Sequence, residues 1–371
     1  MSRISLFAQT ALGAFRPRVV QYLILFVTSR CNARCKMCFN WRTLDGAAVA
    51  DLSIDEIRGL ARSVPDLIQL TLSGGEPFLR DDVVEIVRAF HDQTKVGQVT
   101  LPTNGILTDR IITDTGEILG RFPRLAVNLD LSIDGVGPDH DEVRQRPGAY
   151  NQVLKTYRGA AGLRERHPQL RLGISAALSR FNHDKIIATL EEMARGFEFD
   201  RHEVMLARGS TRDPTATEVS IDDYERAHEW IRRHDRAAAR SLFGRVNYQM
   251  ALMMRESLMK TAREKRMVLP CLAGSKLMVV EADGRVRPCE ILHTIYPEGR
   301  PDLGLPDFEL GNLRENDCDL GKVIRSDKTR RVVEFIRDTS CYCTFECALF
   351  NAIVFNPRQW PALAWRALRN P

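Results

Sequence analysis

The chain has 371 residues, of which 44% are hydrophobic and 27% charged, and 53 Lys+Arg against 48 Asp+Glu leave a net charge of +5. That profile excludes a disordered tail, a collagen-like chain and a disulfide miniprotein. The charge is small and no basic stripe is interleaved with aromatics, so nucleic acid is not an expected partner.

Residues 1–21 read as an amphipathic segment. Ile4, Phe7, Ala8, Ala11, Leu12 and Phe15 share one face of a short helix, and residues 1–44 carry seven Lys/Arg and no acid. No uninterrupted apolar core with a small-residue cleavage site marks a secretory signal. The longest clean apolar run, residues 22–27, is far shorter than the ~18 residues of a membrane span, so a cytoplasmic protein is expected. Residues 22–29 read as a buried strand that ends just before Cys31.

The loop that follows holds Cys31, Cys35 and Cys38 at C-x3-C-x2-C spacing. A structural zinc site normally closes with four ligands. Three close thiolates suit a [4Fe–4S] cluster with one iron left open; a zinc knuckle completed from elsewhere is the bland alternative. Strands are predicted at 22–29, 67–73, 97–103, 124–132, 170–178 and 202–208, and helices at 53–64, 81–91, 109–120, 150–166 and 183–196. Ser53 with Glu56 makes a capping box, and helices 53–64 and 81–91 place apolar residues near helical spacing on one face. The second strand runs into Gly74-Gly75-Glu76-Pro77, where two glycines let a ligand approach the backbone and the Glu76 carboxylate could accept from an ammonium group. Six alternating units imply a parallel sheet. Residues 209–265 read as a charged helical bridge with stretches at 237–242 and 250–259; Met250, Met253, Met254 and Met259 are expected to pack a core.

Nine cysteines fall in two groups, with none between 38 and 271. An odd count in an expected cytosolic chain argues for metal or redox chemistry over disulfides. Cys271 precedes a hairpin signal at Asp283-Gly284 that folds Cys289 back towards it. Cys341, Cys343 and Cys347 close the group, and Cys318 is expected in a helical stretch of the spacer as a buried bystander. This arrangement resembles the SPASM/twitch extension of radical SAM enzymes, and the resemblance implies one or two auxiliary [4Fe–4S] clusters. Two fully ligated ones need eight cysteines, and only six follow Cys38, so one fits. The ligands that the resemblance implies are Cys271, Cys289, Cys343 and Cys347, with Cys341 as the close alternative and a zinc hairpin as the bland one.

The triplet Cys31/Cys35/Cys38 followed about forty residues later by Gly74-Gly75-Glu76-Pro77 resembles the radical S-adenosylmethionine (SAM) superfamily, and the C-terminal cysteines resemble its SPASM/twitch extension. The resemblance covers about nine-tenths of the chain, omitting the termini. It implies an α/β fold, a partial (β/α)6 TIM-like barrel with a C-terminal cysteine-rich SPASM/twitch extension. The organisation expected is an N-terminal segment 1–21, core barrel 22–210, helical bridge 211–265, auxiliary cluster domain 266–350 and a basic, aromatic tail 351–371. The chemistry of such a barrel sits at the C-terminal strand ends, where Cys31, Gly74, Asn104, Ser132 and Arg208 fall.

The resemblance further implies a SAM-binding [4Fe–4S] cluster on Cys31, Cys35 and Cys38, one auxiliary [4Fe–4S] cluster, and SAM contacts from Gly74, Gly75, Glu76 and Pro77. Ser132 and Arg144 are implied at the SAM carboxylate, with Asn104 and Asp130 near the ribose or substrate. Members usually carry an aromatic residue just before the third cysteine, near the adenine; here Met37 stands there, with Phe39 adjacent. Glu290, next to Cys289, is implied as a proton acceptor by similarity to sulfatase maturases. The expected reaction is hydrogen abstraction from a sugar, polyol or natural-product intermediate with net oxidation, using an electron donor such as flavodoxin or ferredoxin. The alternatives are modification of a ribosomal peptide, against which the short segment before Cys31 weighs, and a non-catalytic metal-binding scaffold, which leaves residues 74–77 unexplained. The tail adds Trp360, Trp365 and Leu368 with Arg358, Arg366 and Arg369. Both ends could lie on an anionic membrane, but the expectation is that they pack over the barrel bottom, as amphipathic helices face a core.

Overall fold

The computed structural model describes residues 3–46, 49–235, 242–338 and 341–369. Among the described residues nine strands form one sheet: β1 Tyr22–Thr28, β2 Gln69–Gly74, β3 Gln98–Thr103, β4 Ala126–Ser132, β5 Leu170–Leu178, β6 Arg201–Leu206, β7 Leu277–Val280, β8 Arg285–Arg287 and β9 Gly311–Asn312. Their order is β6-β5-β4-β3-β2-β1-β7-β8-β9. β1 to β6 pair in parallel with their sequence neighbours. The sheet stays open, as a partial barrel does.

Alternation along each strand divides the sheet into two faces. Leu23, Leu25, Leu70, Leu72, Val99, Leu101, Val127, Leu129, Leu172 and Ile174 are fully buried on one. The covering helices include Ile54–Ser63, Val83–Gln93, Thr108–Arg121, Ala149–Arg166 and Ile186–Gly196, each with an apolar stripe such as Ile57, Leu60 and Ala61. Ser53 caps the first of these with the reciprocal Glu56 bond the sequence signalled. The other face is polar: register places Thr71, Thr100, Asn128, Asp130, Ser132 and Glu203 on the side of Tyr22.

Three features differ from expectation. The hairpin β7–β8 forms around Gly284, but β7 also pairs in parallel with β1 from Tyr22↔Leu277 to Leu25↔Val280, so the C-terminal region extends the barrel's own sheet. A helix Pro138–Arg144 follows β4 where none was expected. Cys318 is not helical: it sits at φ +55° in the turn before helix Leu320–Arg325 and is half-buried against Gly59.

The bridge includes helices Ile221–Asp235 and Leu242–Glu264, while most of the predicted stretch 237–242 lies outside the described residues. Met253 and Met254 are buried, with Met250 and Met259 packed beside them, as a core role requires. No described helix is long and apolar enough to cross a membrane.

Candidate functional site

The cysteine loop leaves β1 and is clasped from two sides. The backbone N–H groups of Arg34 and Lys36 donate to the carbonyls of Arg144 and Val143, and those of Arg212 and Asp213 donate to Cys38 and Lys36. The glycines of residues 74–77 serve this loop. Gly75 N–H donates to Thr28 O and Glu76 N–H to Arg30 O, both at 2.9 Å. A Cβ on Gly75 would lie 2.0 Å from Arg30 O, and one on Gly74, at φ +126°, 2.5 Å from Thr28 O. The close approach is therefore the chain's own backbone, not only a ligand's.

Glu76 is buried under this turn. Its carboxylate accepts Thr103 Oγ1 and Asn104 N–H at 2.8 Å and Phe78 N–H at 3.3 Å, and Pro77 opens the short 3-10 turn that Glu76 caps. Burial raises its pKa to about 7, although these hydrogen bonds favour the ion. A carboxylate offers about four acceptor positions, so one remains for a ligand. Asn104 Nδ2 also donates to Asn32 Oδ1 at 2.7 Å and lies 4.0 Å from Cys31 Sγ, tying Glu76 to the cysteine loop.

Arg144 Nε donates to Asp134 Oδ2 at 2.5 Å, with Asp134 fully buried, and its Nη1 lies 3.7 Å from Cys35 Sγ. Arg144 is thus anchored beside the cysteines by a partner that spacing alone did not reveal. Ser132 ends β4 half-buried. Phe39 packs on the main core, and Met37 is buried with Val143 and Ala216.

Burial pushes the Cys31 and Cys38 thiols up to about 11 and about 12. Three crowded thiols therefore need bound cations to ionise together. Among the described residues no group of three or more His, Cys, Asp or Glu is arranged to hold a single metal ion. A three-thiol loop flanked by Arg144 and Asn104 fits a cluster with an open corner better than a closed zinc site.

The second group sits beyond β8. Cys271, Cys289, Cys341 and Cys343 line one cavity, closed by Met267, Ile291, Leu292, Ile295 and Ile336. Four sulfurs in apolar walls make a donor set that fits a fully ligated cluster. Cys347, one of the expected ligands, does not line that cavity. Its Sγ accepts from Tyr22 Oη at 3.6 Å.

Glu290 lies within electrostatic reach of Tyr22, on the polar face of the sheet. Arg208, Glu346, Tyr22 and Cys347 act on it or respond to its charge. Burial raises its pKa to about 7 against the opposing pull of Arg208. Arg208 pairs with the buried Glu346 and covers the Phe345 ring at 4.9 Å. On the same face Asp130 pairs with Arg201, while its Oδ1 is buried without a hydrogen-bond partner. Sequence reasoning missed Glu346 and the Arg201–Asp130 pair; the one available signal was acids within otherwise apolar stretches.

Comparison with known proteins places both halves. Residues 25–193 match the radical SAM superfamily model, and residues 271–348 match the SPASM iron–sulfur cluster-binding domain model. An AdoMet-dependent heme synthase of Methanosarcina barkeri is 29% identical over 289 residues, spanning 74% of this chain and 77% of that protein. A pre-heme d1 synthase of Dinoroseobacter shibae is 31% identical over 47% of this chain and 40% of its own length. The crystal structure of Streptococcus suis SuiB shares the fold, with a TM-score of 0.58, 17% identity and coverage of 87% of this chain and 68% of that one.

Proposed function

The chain belongs to the radical SAM superfamily and carries a SPASM iron–sulfur domain, and on that premise we propose that it is an oxidoreductase acting on a hydroxyl-rich small molecule. When bound, the cluster and SAM at the N-terminal loop supply a 5′-deoxyadenosyl radical, and an auxiliary cluster supplies an electron acceptor. Cys31, Cys35 and Cys38 hold the first cluster. Cys271, Cys289, Cys341 and Cys343 hold the second, with Cys347 as the alternative fourth ligand. Residues 74–77 and Asn104 place the SAM amino group, and Arg144 with Ser132 its carboxylate.

The proposed net reaction removes two electrons and two hydrogens from substrate carbon and oxygen. The Glu290 carboxylate takes the proton the substrate releases; bound SAM would supply the acceptor of the one hydrogen atom, and a cluster at the auxiliary site would take the second electron. Bound SAM would be consumed as methionine and 5′-deoxyadenosine, with the one electron this needs coming from an external donor such as a flavodoxin or ferredoxin.

The observation that carries this reading is a three-thiol loop accompanied by a separate four-thiol cavity, with Glu290 next in sequence to the cavity's Cys289 and within electrostatic reach of Arg208 and Glu346. The polar sheet face supports a sugar, polyol or related substrate: the buried Asp130 Oδ1 is an acceptor for a substrate hydroxyl. The test is anaerobic incubation of the reconstituted chain with dithionite, SAM and C-deuterated polyols. Deuterium in 5′-deoxyadenosine, with one oxidised product per deoxyadenosine, supports it. Cleavage of SAM with no deuterium transfer from any polyol removes this substrate class.

A second reading is a tetrapyrrole substrate, favoured by the heme synthase relative aligned over three quarters of both chains. A saturable shift of a porphyrin's visible spectrum on adding the protein would favour it.

A further inference from the structure

The described residues include nine large exposed hydrophobics, and the four most exposed lie in two terminal helices: Leu12 at 68%, Phe15 at 70%, Trp365 at 56% and Leu368 at 69%. Helices Arg3–Phe15 and Trp360–Arg369 meet, with the Phe15 and Trp360 rings edge-on at 5.8 Å. The C-terminal helix already buries Leu363 and Ala367 against the protein. Its outward face presents Pro361, Ala362, Trp365 and Leu368, so it is apolar on both sides. An ordinary surface helix is polar on the outside.

Charge selects what covers this face. Neither helix contains an acid. Arg16 and Arg366 are neutralised by Asp66 and Glu256. Arg18, Arg358 and Arg369 are exposed, with no carboxylate partner among the described residues, and Arg369 lies 3.6 Å over the Trp365 ring. Apolar tips with Trp among them, on helices without an acid of their own and with the adjoining Asp66 and Glu256 already paired to arginines, match the interface of an anionic bilayer. Such a face cannot span it.

We propose that these two helices dock the protein on an anionic membrane surface, with Leu12, Phe15, Trp365 and Leu368 inserted at headgroup depth and Arg18, Arg358 and Arg369 on the lipid phosphates. The proposal stands apart from the substrate assignment.

The test is pelleting of the full reconstituted chain with vesicles of phosphatidylcholine alone or with about 30% phosphatidylglycerol. The chain should pellet with anionic vesicles and about tenfold less with neutral ones. Raising salt from about 0.1 to about 0.5 M should weaken binding. Trp365→Ser/Leu368→Ser should lower the partition at least about tenfold, as should Arg18→Glu/Arg358→Glu. Melting temperature and SAM cleavage in solution report that these variants fold. Absence of pelleting, equal binding of the variants, or light scattering in which the wild type is a dimer and the Trp365/Leu368 variant a monomer would each overturn the proposal. The last would assign the face to a second copy of the chain.

Discussion

Gly75→Ala should disable the cysteine loop with limited loss of fold. The added Cβ would sit 2.0 Å from Arg30 O and 3.1 Å from Cys31 Cβ, where real Cβ atoms stay beyond 3.0 Å. The obstacle is backbone, so the loop must retreat by roughly 1 Å, and a misplacement of that size can cost about a hundredfold in rate. Overpacking of this kind costs about 1–3 kcal/mol. The expected outcome is a 5′-deoxyadenosine rate reduced about a hundredfold, with a folded protein by circular dichroism and a modestly lower melting temperature. Gly120→Ala is the control, since Gly120 is exposed on helix Thr108–Arg121 with nothing within 4 Å of an added Cβ. It should stabilise by about 0.5–1 kcal/mol and leave cleavage unchanged. Wild-type cleavage by Gly75→Ala would refute the argument that these glycines set the loop's position.

Arg144→Met leaves the buried Asp134 carboxylate unpaired and should destabilise by about 3–5 kcal/mol in urea unfolding. Adding Asp134→Asn should recover most of that loss, and strictly additive effects would contradict the pairing. His140 accepts Asp134 N–H through Nδ1 at 3.1 Å, and burial lowers its pKa to about 4. The unfolded chain therefore binds the proton first, and stability falls as pH drops from about 6.5 towards 4, by up to about 1.4 kcal/mol per unit from this group. His140→Asn keeps an acceptor and should flatten that limb by its share, while the buried His228, shifted the same way, keeps its own; an unchanged limb would contradict this. Ser53→Ala should cost about 1 kcal/mol through the lost capping box, and an unchanged urea midpoint would contradict it.

What was legible in the sequence was local. Strand ends, the capping box at Ser53 and the Asp283-Gly284 hairpin depend on neighbours a few residues apart, and they stand where expected. Residues 74–77 were recognisable as a special turn, but the reason for the glycines was not. The atoms they avoid belong to Thr28 and Arg30, some forty-five residues earlier. Long-range partners were likewise hidden. The parallel pairing of β7 with β1 joins residues about 255 apart, and Arg144 was placed near the site without its buried Asp134. The sequence left Cys341 and Cys347 as alternative fourth ligands of the auxiliary site, because spacing alone does not choose between them. In the fold the Cys347 sulfur accepts from Tyr22 and Cys341 lines the cavity, long-range placements that spacing does not encode. The terminal helices formed as expected at Leu12 and Phe15, but these side chains are exposed instead of packed; those of Ile4, Phe7 and Ala8 lie outside the described set.

The most direct test of the central claim is iron and sulfide stoichiometry after anaerobic reconstitution, compared between the wild type and Cys31→Ala/Cys35→Ala/Cys38→Ala, with 5′-deoxyadenosine assayed in both. Two separate cluster sites predict about eight irons per wild-type chain and about four in the variant, with SAM cleavage abolished. Stoichiometric zinc without iron, or a variant that keeps all its iron, would contradict the account.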